Sequence, residues 1–384
     1  MEDPMTVADT GVDAPVPLLA PPDTWEPASA TALTVAVPVP SRTAEESEPS
    51  RQAQPPPTAA AFTEQRMLRP APPAPAAGWR RAVYRLTAGT VNPGPSPAEA
   101  AAARLVERVR RPIDGSRRIA VVSRKGGVGK TSVTLLLGHA LAAHRGDRVV
   151  ALDGNPDAGS LGHRVVRETA ATVTDLLAAT DRLAGYSDVR RFTSQAPSRL
   201  EVVASDDDPA VTRALDDGDY AAAIEALDRH YNLLLCDTGT GILDAATQGI
   251  LAEADQLVVV LPPSLDGARV AAATLDWLDA HGYAALVAGA VAALNSVRGG
   301  RSDVDLDQVA GHFAARCRAV VAVPFDAQLA AGGNTDLARL RPSTRDAYLR
   351  LAAAVADGFA QPPQRRSTAS SRPLNSATRE RTLA

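Results

Sequence analysis

A glycine-rich segment with two lysines carries the strongest chemical signal in this sequence. It reads Lys125-Gly126-Gly127-Val128-Gly129-Lys130-Thr131-Ser132 and follows a predicted strand at 118–123 whose centre is apolar. Glycines let backbone N–H groups converge on phosphate oxygens, and a helix that begins directly after them adds its partial positive charge. We expect Lys130 to reach the β- and γ-phosphates of a nucleotide and the Thr131 hydroxyl to ligate Mg²⁺. The segment therefore predicts a phosphate-binding loop for a nucleoside triphosphate with Mg²⁺.

Lysine occurs only twice in the chain, and both copies lie in this segment. Of the 40 Lys and Arg residues, only Lys125 and Lys130 are lysines. An arginine side chain ends in a broad planar fork, whereas lysine carries a compact charge on a slim stem. A tight backbone cradle around phosphate accepts the lysine and clashes with the arginine. Both lysines are therefore expected to have specific roles at the phosphate site.

Short apolar strands alternate with amphipathic helices from residue 118 onward. The sequence predicts strands over 118–123, 148–153, 200–204, 232–236, 256–261, 287–294 and 319–323. Helices are predicted over 129–144, 217–229, 243–253, 265–281, 304–316 and 342–358. This alternation is typical of an α/β fold with a mostly parallel sheet and helices on both faces.

The two ends of the chain differ in composition from this central region. Residues 1–78 contain 16 of the 30 prolines and few large apolar side chains. That composition predicts a disordered Pro/Ala-rich arm, which serves either as a spacer or to dock a partner. Residues 79–115 are predicted to be a basic segment with one helix over 97–110. The nucleotide-binding domain is expected over 116–360, followed by a disordered tail over 361–384.

Cysteine usage and hydropathy exclude several classes of protein. Cys236 and Cys317 are the only cysteines, which rules out a disulfide scaffold, a four-thiolate zinc site and a C-x-x-C motif. No apolar run reaches the roughly 18 residues of a spanning helix, and the acidic N-terminus lacks the charge pattern of a signal peptide. We expect a cytoplasmic protein without a direct membrane anchor.

The loop at 125–131 resembles the deviant Walker A motif of the MinD/ParA superfamily, which has a second lysine at the start of the loop. The resemblance extends over residues 116–359. It implies a P-loop NTPase fold of the SIMIBI type, ATPase activity, and ATP with Mg²⁺ as ligands. In that family the first lysine, here Lys125, reaches across to the nucleotide of the partner subunit and takes part in catalysis. The resemblance therefore also implies an ATP-dependent homodimer.

Three polar residues match the family's magnesium and catalytic positions. Asp153 resembles the first carboxylate of the family pattern Asp-x-Asp-Pro, which supports the Mg²⁺ shell, and Asp237 resembles the Walker B aspartate. Asn155 stands where the family usually has an aspartate that orients the attacking water. An amide can orient a water but cannot accept its proton, so slow hydrolysis is expected. Asp157, two residues on, is a candidate to compensate.

Two weaker matches concern the base of the nucleotide. Asn295 matches the asparagine that reads the adenine edge in relatives. Pro324 lies in a segment that resembles the wall of the base pocket. An asparagine at the end of a strand is also a common turn former, so a structural role for Asn295 stays open.

The chain is also similar to the EspI-like proteins associated with actinobacterial type VII (ESX) secretion. The similarity includes Gly78-Trp79-Arg80-Arg81 and Phe192-Thr193-Ser194-Gln195. It implies an ATP-gated regulator or assembly factor with secretion components as partners. The alternative is a ParA-type partition or positioning ATPase that binds DNA nonspecifically. The nine arginines of residues 79–118 suit either function, or simply form a solvated surface.

Overall fold

The computed structural model describes residues 73–155, 159–208, 211, 215–299 and 304–361. Most of the predicted arm, nearly all of the predicted tail and Asp157 therefore lie outside the described residues. Within them, the predicted α/β fold with a mostly parallel sheet is confirmed. None of the helices in these ranges is long and apolar enough to cross a membrane.

Eight strands form a single sheet. Their bounds are β1 Arg117–Val122, β2 Val149–Gly154, β3 Ser194–Gln195, β4 Leu200–Val203, β5 Leu233–Thr238, β6 Gln256–Leu261, β7 Val291–Asn295 and β8 Ala319–Val323. The order is β3-β4-β2-β5-β1-β6-β7-β8, and all neighbours are parallel except β3 and β4. From β1 the sheet extends through β5, β2 and β4 on one side and through β6, β7 and β8 on the other, so the strand order reverses at β1. Ligands of open α/β sheets bind at the carboxyl ends of strands where the order reverses in this way, which is where the loop after β1 lies.

Twelve α-helices are described. They are α1 Gly78–Leu86, α2 Pro97–Val109, α3 Lys130–His144, α4 Val173–Ala178, α5 Tyr186–Val189, α6 Asp217–Asp228, α7 Ala245–Glu253, α8 Leu265–Ala280, α9 Ala284–Ala288, α10 Leu306–Ala314, α11 Ala327–Ala330 and α12 Pro342–Ala356. Short 3-10 turns span Gly162–Arg164, Thr180–Arg182, Arg190–Phe192 and Asp357–Ala360.

The sheet separates two hydrophobic clusters. In β1, Ile119 and Val121 belong to the cluster that contains the apolar side chains of α3 and α12. Ala120 and Val122 belong to the cluster built with α6, α7 and α8. Because both faces are covered, β1 is buried along its whole length, and its sequence is apolar from Ile119 to Val122.

Two regions differ from the sequence-based prediction. The basic segment contains two helices, α1 and α2, where the sequence predicted one. Helix α1 was missed because it is only nine residues long, lies next to the proline-rich arm and buries none of its residues. Strand β7 begins at Val291 instead of residue 287 because residues 284–288 form α9. Alanine and leucine favour a buried helical turn as readily as a buried strand, so hydropathy alone does not separate the two.

Helix α2 packs against α12, near the C-terminal end of the described chain. Val109 at its end is fully buried. Nitrogen atoms of Arg108 and Arg111 lie 2.6 and 2.7 Å from the carboxylate oxygens of Asp357. Arg145 Nη1 donates to the Arg111 carbonyl oxygen at 2.7 Å. The basic segment is therefore packed onto the domain that follows it.

Two N-terminal deletions should affect thermal stability very differently. Removing residues 1–72 should change Tm by no more than about 2 °C, because that composition cannot build a core. Removing residues 1–111 also deletes α2 and exposes the surface of α12 that it covers, and it should lower Tm by at least about 5 °C. Scanning calorimetry on both truncated chains measures the difference. A large drop after the shorter deletion would mean that the arm packs on the domain.

Candidate nucleotide-binding site

The predicted phosphate-binding loop connects β1 to α3. Gly127 and Gly129 adopt left-handed φ angles of 71° and 87°, and α3 begins at Lys130. A Cβ atom on Gly129 would lie 2.5 Å from Asn295 Nδ2, so a side chain there would clash in addition to straining the backbone. These glycines are what allow the chain to turn directly from the end of β1 into the first turn of the helix.

A cavity of about 390 Å³ adjoins this loop, and most of the predicted site residues line it. These are Gly127, Val128, Gly129, Lys130, Thr131, Ser132, Asn155, Asn295 and Pro324. Lys125, Gly126, Asp153 and Asp237 are not among its lining residues. The volume falls within the range of about 300–1,000 Å³ that is common for small-molecule sites. The fold thus brings together segments that are nearly 200 residues apart in sequence.

Lys130 is half-buried at the first position of α3. Burial lowers the pKa of its ammonium group, and attraction to Asp237 opposes that shift. A buried ammonium group at a helix N-terminus adds to the positive potential of the unpaired backbone N–H groups. This end of the cavity is therefore electrostatically suited to an anion.

Asp153 and Asp237 form a buried acidic pair behind Lys130. They stand at paired positions of β2 and β5 and are almost fully inaccessible. Burial raises the pKa of Asp153 to about 7, assisted by repulsion from Asp237, although Asp153 Oδ2 accepts a 2.9 Å hydrogen bond from the Leu161 amide. Burial likewise raises the pKa of Asp237, against the hydrogen bonds of Thr131 and Thr134.

This acidic pair fits Mg²⁺. Each carboxylate disfavours the charge of the other, and a divalent cation beside them would remove that penalty. Within the described ranges no cluster of three or more His, Cys, Asp or Glu side chains could hold a metal. Mg²⁺ is typically held by one or two carboxylates together with substrate phosphates and waters, so a bound nucleotide would complete this site.

Lys125 lies at the edge of the loop and forms an ion pair with Asp266 at the start of α8. Asp266 is largely exposed, and the ion pair lowers the pKa of its carboxyl group. Lys125 therefore does not extend into the cavity of its own subunit. Of the two lysines in the loop, Lys130 lines the cavity and Lys125 lies on the adjacent surface.

Asn155 lines the cavity, and its backbone N–H lies 3.3 Å from Asp153 Oδ1. Asp157, the sequence-based candidate to replace its missing carboxylate, lies outside the described residues. Asn295 is buried, and its Nδ2 donates to the Val128 carbonyl oxygen at 2.7 Å. Asn295 thus braces the phosphate loop, a structural role that motif matching did not predict.

Several residues that line the cavity are not among the predicted site residues, and three of them are placed close to the phosphate loop or its helix. Ser160 donates from Oγ to Thr131 Oγ1 at 3.3 Å, Arg164 lines the cavity from the same segment, and Thr240 belongs to the loop after β5. Thr240 also lies close to the phosphate loop, since a side chain on Gly126 would place its Cβ 3.9 Å from Thr240 Cγ2. No motif spacing marks Ser160 or Arg164; only the position of Thr240 three residues after Asp237 gave a signal.

The sequence is similar to a known family and to curated proteins. The family model described as "CobQ/CobB/MinD/ParA nucleotide binding domain" matches residues 119–359. The ESX-1 secretion-associated protein EspI of Mycobacterium tuberculosis strain H37Rv is 40% identical over 284 residues, which is 73% of this chain and 42% of the relative. The same protein of strain CDC 1551 matches equally well. The chain thus spans less than half the length of these curated relatives.

Solved structures share the fold. A ParA family ATPase from Chlorobium tepidum TLS matches with a TM-score of 0.53 and 19% identity over 62% of this chain and 98% of that one. The septum site-determining protein MinD complexed with Mg-ADP, from Pyrococcus horikoshii OT3, matches with a TM-score of 0.50 and 22% identity over 62% of this chain and 94% of that one. With the family match over most of the sheet, these likenesses identify the chain as a member of the MinD/ParA-containing family of nucleotide-binding domains.

Proposed function

We propose that this protein is a slowly hydrolysing ATPase that acts as a nucleotide-dependent switch in a type VII secretion system. The observation that carries the proposal is the cavity at the first turn of α3. There Lys130 and Thr131 lie beside the buried pair of Asp153 and Asp237. A cation, a hydroxyl and two carboxylates in this arrangement suit a phosphate chain with Mg²⁺.

Asn295 and Pro324 support ATP as the nucleotide. Both line the same cavity as Lys130. One N–H of the Asn295 amide is used by Val128, and an asparagine amide has a second N–H donor and a carbonyl acceptor. Those two groups match the acceptor and donor on the edge of adenine. The Mg-ADP in the related MinD structure is consistent with the same base.

We further propose that ATP drives formation of a homodimer through Lys125. Two facing phosphate sites repel each other, and a lysine that reaches across relieves that repulsion only when nucleotide is bound. The ion pair of Lys125 with Asp266 is exposed, so solvent screens it and the lysine can exchange partners readily. Leu243, in the loop after β5, and Leu265, the first residue of α8, are 71% and 55% exposed, and we expect such a dimer to cover them.

Substitution of Lys125 should separate ATP binding from dimer formation. Lys125→Ala should bind ATP within about threefold of the wild-type affinity, because the lysine does not line the local cavity. It should nevertheless remain monomeric with ATP and Mg²⁺ in light scattering. Asp266→Ala is the matched control, since it breaks the same ion pair but keeps the lysine, and it should still form the dimer. Equal dimer formation by the Lys125→Ala variant would exclude the proposed role across the interface.

The link to secretion rests on the EspI relatives, which are named as ESX-1 secretion-associated. A switch of this kind would present one surface to a secretion component in its ATP state and another without nucleotide. The test is affinity capture on the tagged full chain with ATP, with ADP and without nucleotide. Nucleotide-dependent capture of a type VII secretion component is expected. Equal capture with ATP, with ADP and without nucleotide would argue against the switch.

The alternative function, positioning on DNA, depends on the arginines of residues 79–118. Seven of these nine arginines donate hydrogen bonds or pair with acidic groups inside the chain, which leaves Arg85 and Arg104 without such partners in the described structure. A DNA surface needs several cations aimed at solvent. The structure therefore favours the secretion-associated switch. DNA binding that weakens steeply with salt and is lost on replacing Arg85 and Arg104 would reverse that preference.

A further inference from the structure

Arg164 is a half-buried arginine at the edge of the candidate nucleotide-binding cavity. It ends the 3-10 turn at 162–164, and its backbone oxygen accepts a 3.0 Å hydrogen bond from the Thr335 amide. Its Nε and Nη1 atoms are buried, and neither makes a hydrogen bond within the described part of the chain. Withdrawing guanidinium N–H donors from water without replacing those bonds is unfavourable. Such a group therefore calls for a partner that the protein alone does not supply.

Other buried arginines of the domain do have partners. Arg118 pairs with Glu253 and Asp255, and Arg145 donates to two backbone oxygens. Arg318 donates to the carbonyl oxygens of Gly289 and Ala354, although its Nη2 is buried without a partner. Arg164 thus differs from these arginines in having two buried nitrogen atoms, Nε and Nη1, without a hydrogen-bond partner among the described residues.

The cavity beside Arg164 is the one that holds the phosphate loop. Arg164, Thr131, Ser132 and Ser160 all line it. The contact between the hydroxyls of Ser160 and Thr131 fixes the 159–164 segment against the first turn of α3. Burial lowers the pKa of the Arg164 guanidinium, whereas attraction to Asp237 opposes the shift. A guanidinium stays charged in proteins, so the unsatisfied group is a cation facing an anion site.

We propose that Arg164 is a phosphate ligand supplied by the same chain, which binds the inner phosphates that ADP and ATP share. This inference rests on the proposed nucleotide site. Thr131 and Ser132 belong to the first turn of α3, whose N-terminus suits phosphate oxygens, and Arg164 lines the same cavity from a segment that Ser160 ties to Thr131. A planar guanidinium matches two phosphate oxygens at once. Binding would give the buried N–H groups the acceptors that they lack in the free protein.

The proposal makes an unusual prediction for Arg164→Met. The substitution removes the two buried N–H groups that lack acceptors, and this gain offsets the lost attraction to Asp237, so Tm without nucleotide should change little. Affinity for both ADP and ATP should fall about tenfold to hundredfold, the range expected for one lost charge-assisted contact. A purely structural arginine would give the opposite pattern, with a lower Tm and unchanged affinity.

Arg318→Met is the matched control. Arg318 is similarly buried, but it lies at the start of β8, outside the lining of the cavity. Its replacement removes the hydrogen bonds to Gly289 and Ala354, so it should lower Tm without changing nucleotide affinity. If methionine disturbs the fold, Arg164→Gln replaces Arg164→Met in the same comparison of Tm and nucleotide affinity.

The experiment is calorimetric titration of the full chain and each variant with ADP and with ATP, together with thermal melting in the absence of nucleotide. Weaker binding of both nucleotides by Arg164→Met, with an unreduced Tm, supports the proposal. Wild-type affinity in that variant overturns it, and so does a loss that is confined to ATP, because the contact would then involve the γ-phosphate. A wild-type chain that binds neither nucleotide would instead refute the proposed nucleotide site itself.

Discussion

Lys130→Ala should reduce ATP affinity by about two to four orders of magnitude. Lys130 is expected to contact two phosphates, and each charge-assisted hydrogen bond contributes about 1.5–3 kcal/mol. The side chain is half-buried at the N-terminus of α3, so water cannot fully replace the lost charge. Isothermal titration with ATP and Mg²⁺ measures the loss directly.

The second lysine provides the control for this substitution. Lys125 and Lys130 are the only lysines in the chain and lie five residues apart, yet only Lys130 lines the cavity. A nonspecific effect of removing positive charge would weaken binding in both alanine variants. If Lys130→Ala binds ATP as tightly as the wild type, the loop is not the nucleotide site.

Asn155→Asp should accelerate single-turnover ATP hydrolysis. Asn155 lines the cavity, and a carboxylate in its place could hold the attacking water and accept its proton. General-base assistance of this kind is worth about 10²–10⁴-fold. The wild-type amide already orients the water in part, so we expect Asn155→Asp to raise the rate by about 10²–10³-fold.

The conditions of this assay matter because the new carboxylate stands near an existing acidic pair. Asp153 and Asp237 already disfavour each other's charge, so a third carboxylate would weaken ATP binding unless Mg²⁺ is saturating. Single-turnover rates should therefore be measured at saturating Mg²⁺ with enzyme in excess over ATP. Asn155→Ala, which removes the water-orienting amide, should be slower than the wild type. An unchanged rate in Asn155→Asp would shift attention to Asp157, where Asp157→Asn is the corresponding test.

The phosphate loop and the sheet were predictable because local chemistry determines them. Strand, glycine turn and Gly-Lys-Thr require a particular backbone path, and Gly127 and Gly129 adopt the left-handed angles that path needs. The central strands are buried on both faces, so their apolar runs were visible without any long-range information. The pairing of Asp153 with Asp237 then follows from β2 and β5 lying side by side, which the sequence alone did not establish.

Contacts between distant segments could not be predicted in the same way. Whether Asn295 braces the loop depends on where β7 ends relative to Val128, a distance of 167 residues in sequence. The attachment of the basic segment depends on the ion pairs of Arg108 and Arg111 with Asp357. The composition of the segment showed that these arginines belong to a charged run, but it did not predict which residues they pair with. Arg164 carries no motif at all, and only its burial beside the cavity distinguishes it.

The most direct test of the switch follows the mass of the wild-type chain after one equivalent of ATP is added with Mg²⁺. Light scattering should show the mass doubling and then returning to that of the monomer with the same slow time course as phosphate release, while ADP leaves the monomer unchanged. A mass that does not respond to ATP, or a dimer that forms equally with ADP, would contradict a switch controlled by the nucleotide state.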